Sequence, residues 1–214
     1  MSISGSFHSD LIPPNSDFIN VAALCPDTAV LGPGRRFVVW VQGCCFDCPR
    51  CISPAWRVQE PAKLFTVDEL THAMLRTADL EGLTISGGEP MLQAANLHRV
   101  ITAVRQKRNI SVICYTGFTL EDLRGTKDSG FLSLLSDIDV LIDGPYIERL
   151  NDNRGLRGSS NQRVNFLTGV YQDQKENFTD ATRNLEAHLF DDHYLMVGIH
   201  PKNFKKHHEK EFCT

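Results

Sequence analysis

The sequence predicts an α/β fold in which a parallel sheet is covered by helices. Four short apolar segments alternate with segments whose apolar residues have helical spacing, which is typical of parallel sheets. Residues 184–190 alternate polar and apolar side chains, and a turn at 191–193 and an apolar segment follow, which predicts a β-hairpin. The 214 residues suffice for one domain with extensions. We expect an N-terminal arm over residues 1–30, a core over 31–165 and a C-terminal extension over 166–214.

The predicted elements of the core follow one another in chain order. Residues 1 to about 20 are polar and rich in turn formers, so we expect them to be irregular. Thr66 and Glu69 have the spacing of a capping box, which predicts the start of a helix. The predicted strands are 37–41, 83–85, 111–115 and 139–143, and the predicted helices begin at Thr66, before Leu97 and at Thr119.

The C-terminal part of the chain has a different pattern. Residues 163–167 have the composition of a further strand, whereas residues 172–182 are polar and predicted to form a loop. The charged residues 202–214 are expected to be frayed.

Three cysteines lie close together directly after the first predicted strand. Cys44, Cys48 and Cys51 have the spacing Cys-x-x-x-Cys-x-x-Cys. Iron–sulfur clusters usually take four cysteines, so three on one loop leave one iron free to bind a small molecule. The alternative is a structural zinc site, whose fourth ligand would be Cys25, Cys45, Cys114, Cys213 or one of the eight histidines.

Composition limits the classes of partner. The net charge of -4 gives no electrostatic reason to expect nucleic-acid binding, and no apolar segment approaches the roughly 20 residues of a membrane span. Seven cysteines with a tight cluster favour a reducing compartment and a metal site over a disulfide framework. We therefore expect a cytoplasmic protein that binds neither nucleic acid nor membrane.

The cysteine motif and the downstream Gly87-Gly88-Glu89-Pro90 together resemble the radical S-adenosylmethionine enzymes. The segments 115–118, 139–146 and 157–163 narrow the resemblance to small proteins related to the activating enzyme of anaerobic ribonucleotide reductase. This resemblance covers about residues 31–199 and implies an incomplete (β/α) TIM-type barrel. The role of Ser159-Ser160-Asn161-Gln162 stays open at this point.

The resemblance also implies the cofactors and their ligands. A [4Fe–4S] cluster is expected on the three cysteines, with S-adenosylmethionine on its open iron and the Gly-Gly-Glu-Pro segment at the amino group. Two glycines allow close approach of a ligand, and a carboxylate suits an ammonium group. Many family members carry an aromatic residue where Arg50 stands, so we expect adenine contacts from the backbone near Ile52 or from the Arg50 guanidinium. The expected cofactor contacts are Arg50, Ile52, Gly87, Gly88, Glu89, Pro90, Thr116 and Asp143.

Three functions fit these residues. The first is an activase that cleaves S-adenosylmethionine reductively to a 5′-deoxyadenosyl radical and makes a glycyl radical on a polypeptide partner. The second is a maturase that modifies or cleaves a ribosomal precursor peptide, with the option of a second subunit. The third is a zinc or iron–sulfur binding module without catalysis. Both enzymes need a one-electron donor such as flavodoxin or ferredoxin. No residue is predicted to act as an acid or base, because the cofactor supplies the radical.

Overall fold

A seven-stranded mixed sheet forms the centre of the computed structural model, which describes residues 16–189 and 194–202. The strand order is β3-β1-β2-β4-β5-β6-β7. The strands are β1 (Phe18–Thr28), β2 (Arg36–Val41), β3 (Lys63–Thr66), β4 (Gly82–Gly87), β5 (Ser111–Thr116), β6 (Val140–Asp143) and β7 (Arg163–Phe166). Most of the N-terminal segment predicted to be irregular, and nearly all of the tail predicted to be frayed, lie outside the described residues.

The four predicted parallel strands are confirmed and form the middle of the sheet. β2 pairs with β4, β4 with β5 and β5 with β6, all in parallel. β1, β3 and β7 are added in antiparallel orientation. The carboxyl ends of the parallel strands therefore meet at one edge, where ligands bind in such sheets. The incomplete barrel stays a prediction, because the strand order defines an open sheet.

Four helices cover one face of this sheet. They are α1 (Val67–Arg76), α2 (Ala94–Arg105), α3 (Leu120–Gly125) and α4 (Ser129–Asp137). The α2 side chains Leu97 and Ile101 are fully buried in the main core, and each contributes roughly 1.5–3 kcal/mol by leaving water. The predicted capping box is confirmed, since Thr66 and Glu69 exchange hydrogen bonds at the start of α1. Within the described ranges, no helix has the length and apolar character needed to cross a membrane.

The C-terminal extension packs on the opposite face of the sheet. The predicted hairpin is confirmed as the antiparallel strands β8 (Glu186–Leu189) and β9 (Tyr194–Val197). Val197 and Ile199 share a buried cluster with Trp40 of β2, and Phe178 shares another with Ile142 of β6. The extension is therefore part of the core and not a detached arm.

Several elements differ from the sequence prediction. The irregular arm is wrong from residue 18 onward, where β1 begins; its burial pattern lacks strict alternation and its sequence contains Pro26. The predicted loop at 172–182 contains α5 (Lys175–Thr179), a five-residue helix with Phe178 as its buried residue. The sequence analysis also missed β3 and α4. β3 is a short, half-exposed strand, and α4 is capped by the Asp128 carboxylate.

Candidate cofactor site

An open cavity lies at the carboxyl ends of the parallel strands. It contains about 930 Å³ of empty space, including its open mouth. Its wall takes residues from the loops after β2, β4, β5 and β6, so the predicted meeting of four strand ends is confirmed. The predicted site residues in this wall are Cys44, Cys48, Cys51, Ile52, Gly87, Gly88, Glu89 and Thr116.

Backbone hydrogen bonds hold the cysteine loop in place. After β2 the chain turns at Gly43, which has a φ of 97°, a conformation that favours glycine. The Gly43 amide donates to the Trp56 carbonyl over 2.9 Å, and the Cys44 amide to the Arg57 carbonyl over 3.2 Å. Trp56 and Arg57 belong to a short 3₁₀ helix over residues 54–57, which follows the cysteine loop in the sequence and contacts its start. The loop is thus fixed at its start, where the first cysteine stands.

The three predicted ligand thiols share the cavity, and burial favours the neutral form of two of them. Burial raises the pKa of Cys44 to about 12 and also raises the pKa of Cys48. Because thiolate is the metal-binding form, loading a metal at this site must release protons. Among the described residues, no three Cys, His, Asp or Glu side chains converge as one bound metal ion requires. Three thiolates spread over one wall suit a cluster in which each cysteine binds a different iron.

Three further cysteines have structural positions, and Cys213 lies outside the described residues. Cys45 is half-buried against the main core, and Cys114 is fully buried on the helix-covered face of β5. Cys25 is 1% exposed and belongs to the cluster beneath the C-terminal extension. None of these three lines the cavity in the described structure.

The Gly87-Gly88 pair meets protein backbone where the sequence analysis expected a ligand. A Cβ added at Gly87 would overlap the Val41 peptide, and one added at Gly88 would overlap the Gly43 carbonyl oxygen. The Gly88 amide donates to the Val41 carbonyl over 2.7 Å, and the Glu89 amide to the Gly43 carbonyl over 2.8 Å. The glycines therefore join the β4 loop directly to the start of the cysteine loop.

Glu89 joins the β4 loop to the end of β5. Its buried carboxylate accepts hydrogen bonds from the Thr116 hydroxyl (2.8 Å), the Gly117 amide (2.8 Å) and the Met91 amide (2.9 Å). Burial raises the pKa of Glu89 to about 7, although these three donors favour the charged form. The carboxylate thus accepts three hydrogen bonds from the protein and also lines the cavity, and its contact with an ammonium group stays a prediction.

Three predicted cofactor contacts are not part of the cavity wall. The Arg50 side chain is 66% exposed and lies 3.4 Å from the Glu148 carboxylate. The Asp143 carboxylate accepts from the Leu120 amide over 2.6 Å and pairs with Arg163. Pro90 is buried behind Glu89 in a short 3₁₀ helix. At the end of β6, the cavity is lined by Gly144, which was not predicted, and not by its neighbour Asp143.

Sequence reasoning left the role of the Ser-Ser-Asn-Gln segment open, and the structure gives one. The Gln162 side chain accepts from the amides of Gly158 (2.8 Å) and Ser159 (3.2 Å) and donates to the Gly144 carbonyl (2.8 Å). Ser159 in turn accepts from the Ile147 amide over 3.1 Å. The segment fastens the loop after β6, so it shapes one wall of the cavity. The residues missed in this wall include Tyr146, Gly158, Gln162, Gly198 and Ile199.

Comparison with known proteins places the chain in a family. A family model described as a 4Fe-4S single cluster domain matches residues 30–165. The chain is 30% identical over 153 residues to the anaerobic ribonucleoside-triphosphate reductase-activating protein of Enterobacteria phage T4, covering 68% of this chain and 93% of that protein. The protein of the same name from Vibrio cholerae is 33% identical over 153 residues, covering 67% and 95%.

A second kind of activating enzyme matches a shorter segment. The pyruvate formate-lyase-activating enzyme of Staphylococcus aureus is 36% identical over 81 residues, covering 35% of this chain and 32% of that enzyme. The zinc site and the module without catalysis, both kept open above, are therefore wrong. The chain belongs to the 4Fe-4S single cluster domain family and is a radical S-adenosylmethionine enzyme of the activating kind, with a [4Fe–4S] cluster and S-adenosylmethionine as its cofactors.

Proposed function

We propose that the chain is an activase that generates a glycyl radical on a polypeptide partner. One observation carries this proposal: the cysteine loop and the Gly-Gly-Glu loop form two walls of one cavity. Cys44, Cys48 and Cys51 hold the cluster, and Gly87, Gly88 and Glu89 border the place of S-adenosylmethionine. When bound, these cofactors supply a carbon-centred radical that takes a hydrogen atom from the target.

The chain's own contribution is to orient its ligands and to exclude water. Glu89 fixes the loops after β4 and β5 relative to each other through its three hydrogen bonds. Apolar side chains from several elements complete the wall, among them Trp40, Phe46 and Ile199. Phe46 is held by edge-to-face packing on Phe118, with ring centroids 4.9 Å apart. A rigid apolar wall protects a radical from side reactions with solvent.

The remaining predictions complete the proposal. The core over 31–165 forms the incomplete barrel, and the described part of the extension, residues 166–189 and 194–202, covers the sheet face opposite the four helices. Ile52 contributes to the adenine contact, and a one-electron donor such as flavodoxin or ferredoxin reduces the cluster. The enzyme works in the cytoplasm on a glycyl-radical protein.

A second candidate is maturation of a ribosomal precursor peptide, alone or with a second subunit. The observation that favours it is the contribution of Gly198 and Ile199 to the cavity wall, since both lie outside the matched family segment 30–165. Because these two residues lie outside the family segment, the cavity of this chain suits a target that differs from those of the relatives.

Formation of 5′-deoxyadenosine tests the proposal. The anaerobically reconstituted enzyme, given dithionite and S-adenosylmethionine, should form it, and Cys48→Ala should not. Glycyl-radical proteins and precursor peptides with deuterium at the target carbon then separate the two candidates. Deuterated 5′-deoxyadenosine from the glycyl-radical protein supports the activase, and deuterated product from the peptide alone supports the maturase. Deuterium transfer from neither class would contradict both.

A further inference from the structure

The C-terminal extension reaches the cofactor cavity through two residues that directly follow β9. Gly198 and Ile199 line the cavity, although the family match ends at residue 165. Ile199 packs in the same cluster as Trp40 and beside Ile52 of the cysteine loop. A segment outside the family match therefore stands close to the place where the reaction occurs.

The peptide groups of these two residues lack hydrogen-bond partners within residues 16–189 and 194–202. Their neighbours are paired, because Val197 stands opposite Glu186 in the β8–β9 ladder. More than nine in ten buried peptide groups in proteins are paired, and Ile199 is only 8% exposed. Unpaired main-chain donors and acceptors beside a cavity are the groups with which an extended peptide pairs.

The local backbone is arranged to turn these groups out of the hairpin. Gly198 has a φ of 126°, which side-chain-bearing residues rarely adopt. A Cβ at this position would lie 2.6 Å from the Asn184 carbonyl oxygen and 2.8 Å from the Leu185 side chain. Glycine is thus required here for the chain to leave the ladder at the cavity.

Ile199 lines a second cavity, with about 650 Å³ of empty space including its mouth, between the 29–33 segment and the 177–184 segment. Ile199 therefore borders two cavities.

We propose that the main chain of the target polypeptide pairs with the peptide groups of Gly198 and Ile199, which places its reactive residue beside the cofactors. This inference rests on the proposed function and names the element that binds the target. Main-chain pairing gives affinity with little dependence on the target's side chains. The cavity wall around Ile199 then selects target residues by the size of their side chains.

The experiment uses a pool of ten-residue peptides with a central dideuterated glycine, incubated with the reconstituted full-length enzyme, dithionite and S-adenosylmethionine. Total 5′-deoxyadenosine reports cofactor cleavage, and its deuterium content reports transfer from the peptide. Gly198→Ala should lower the deuterated fraction of the 5′-deoxyadenosine at least tenfold relative to the wild type, and this fraction is independent of the total amount of cofactor that is cleaved. Leu189→Ala is the matched control, because this side chain is 83% exposed on the same hairpin, and it should behave like the wild type.

A second measurement leaves the protein unchanged, so that misfolding of a variant cannot imitate the result. Peptides with single backbone N-methyl groups near the labelled glycine lose one N–H each, and at least one of them should transfer deuterium tenfold less. Equal transfer by Gly198→Ala and by every N-methyl peptide would overturn the inference. So would formation of 5′-deoxyadenosine without deuterium from any peptide, which leaves cofactor cleavage standing. Absence of 5′-deoxyadenosine from the wild type would instead overturn the proposed function.

Discussion

The two ends of the parallel sheet are built in opposite ways. At the amino end, the fully buried Arg36 donates hydrogen bonds to hydroxyls and carbonyls of Pro33, Leu83, Thr84, Ser111 and Tyr171. At the carboxyl end, three cysteine thiols and the unpaired peptide groups of Gly198 and Ile199 border a cavity. The amino end pairs its polar groups internally, whereas the carboxyl end pairs some of them, such as Glu89 and Gln162, and leaves the thiols and these peptide groups to ligands.

This difference assigns stability and function to separate ends of the sheet. Buried polar groups contribute to stability only when they are paired. The carboxyl end leaves groups unpaired, and its close backbone contacts require glycine at Gly87 and Gly88. Changes at the amino end should therefore affect unfolding more than activity, and changes at the carboxyl end should do the reverse.

Removing the buried cation should have the largest effect. Arg36→Met leaves the neutral acceptors at the amino end without their donor, and we expect a loss of about 4 kcal/mol in the free energy of unfolding. Denaturant unfolding measures it. Arg35→Met is the control: its guanidinium is 49% exposed and paired with Asp27 at the surface, so its unfolding midpoint should hardly change. Equal shifts for both variants would contradict the comparison.

The next effect should appear in activity. Gly88→Ala forces the β4 loop away from the Gly43 carbonyl, and we expect at least a hundredfold slower cleavage of S-adenosylmethionine, about 2.7 kcal/mol in activation free energy. Gly125→Ala, which meets open space, should cleave at the wild-type rate. A Gly88→Ala enzyme with wild-type activity would show that the contact between the two loops is dispensable.

Glu89 should make the carboxyl end sensitive to pH. Its folded-state pKa of about 7 lies above the ordinary value of 4.5, so between these values the folded protein holds a proton that the unfolded chain releases. Stability should therefore fall by about 2.5 kcal/mol as the pH rises from 5 to 8. Unfolding of the wild type and Glu89→Gln at pH 5 and 8 measures the change. The variant should lack this part of the pH dependence, and parallel curves would refute the assignment.

The smallest expected effects come from two matched variants, each of which removes the hydroxyl of one buried tyrosine. The Tyr171 hydroxyl bonds to Arg36 (2.9 Å) and Ser111 (2.6 Å), whereas the buried Tyr115 hydroxyl has no hydrogen-bond partner among the described residues. Tyr171→Phe should lower the free energy of unfolding by about 1–2 kcal/mol, and Tyr115→Phe should change it by less than about 0.5 kcal/mol. Thermal unfolding of both variants tests this, and a larger loss for Tyr115→Phe would reverse the assignment.

Local sequence patterns predicted the parallel core well because each of its elements has a strong signal of its own. β2, β4, β5 and β6 are apolar segments, and α1 begins with a complete capping box. β1 was not predicted because its polar and apolar residues do not alternate strictly. Its strand conformation is supported by pairing with β2 on one side and β3 on the other. α5 was not predicted because it has a single buried residue, Phe178, and this residue is buried by contact with distant strands of the sheet.

The site shows the same limit more sharply. Motif spacing found the cysteines and the Gly-Gly-Glu segment, since these residues are close in sequence. It did not show that Gly88 contacts Gly43, nor that protein donors occupy the Glu89 carboxylate, because these contacts join different strands. Gln162 and Gly198 belong to the wall through contacts that bring distant segments together, and no local pattern contains that information.

The iron content of two neighbouring cysteine variants tests the central claim, that the cavity wall holds a [4Fe–4S] cluster. After anaerobic reconstitution, the wild type and Cys45→Ala should each carry about four irons per chain, because Cys45 packs against the core. Cys44→Ala should lose the cluster and its visible absorbance. Four irons in Cys44→Ala, or stoichiometric zinc without iron in the wild type, would contradict this account.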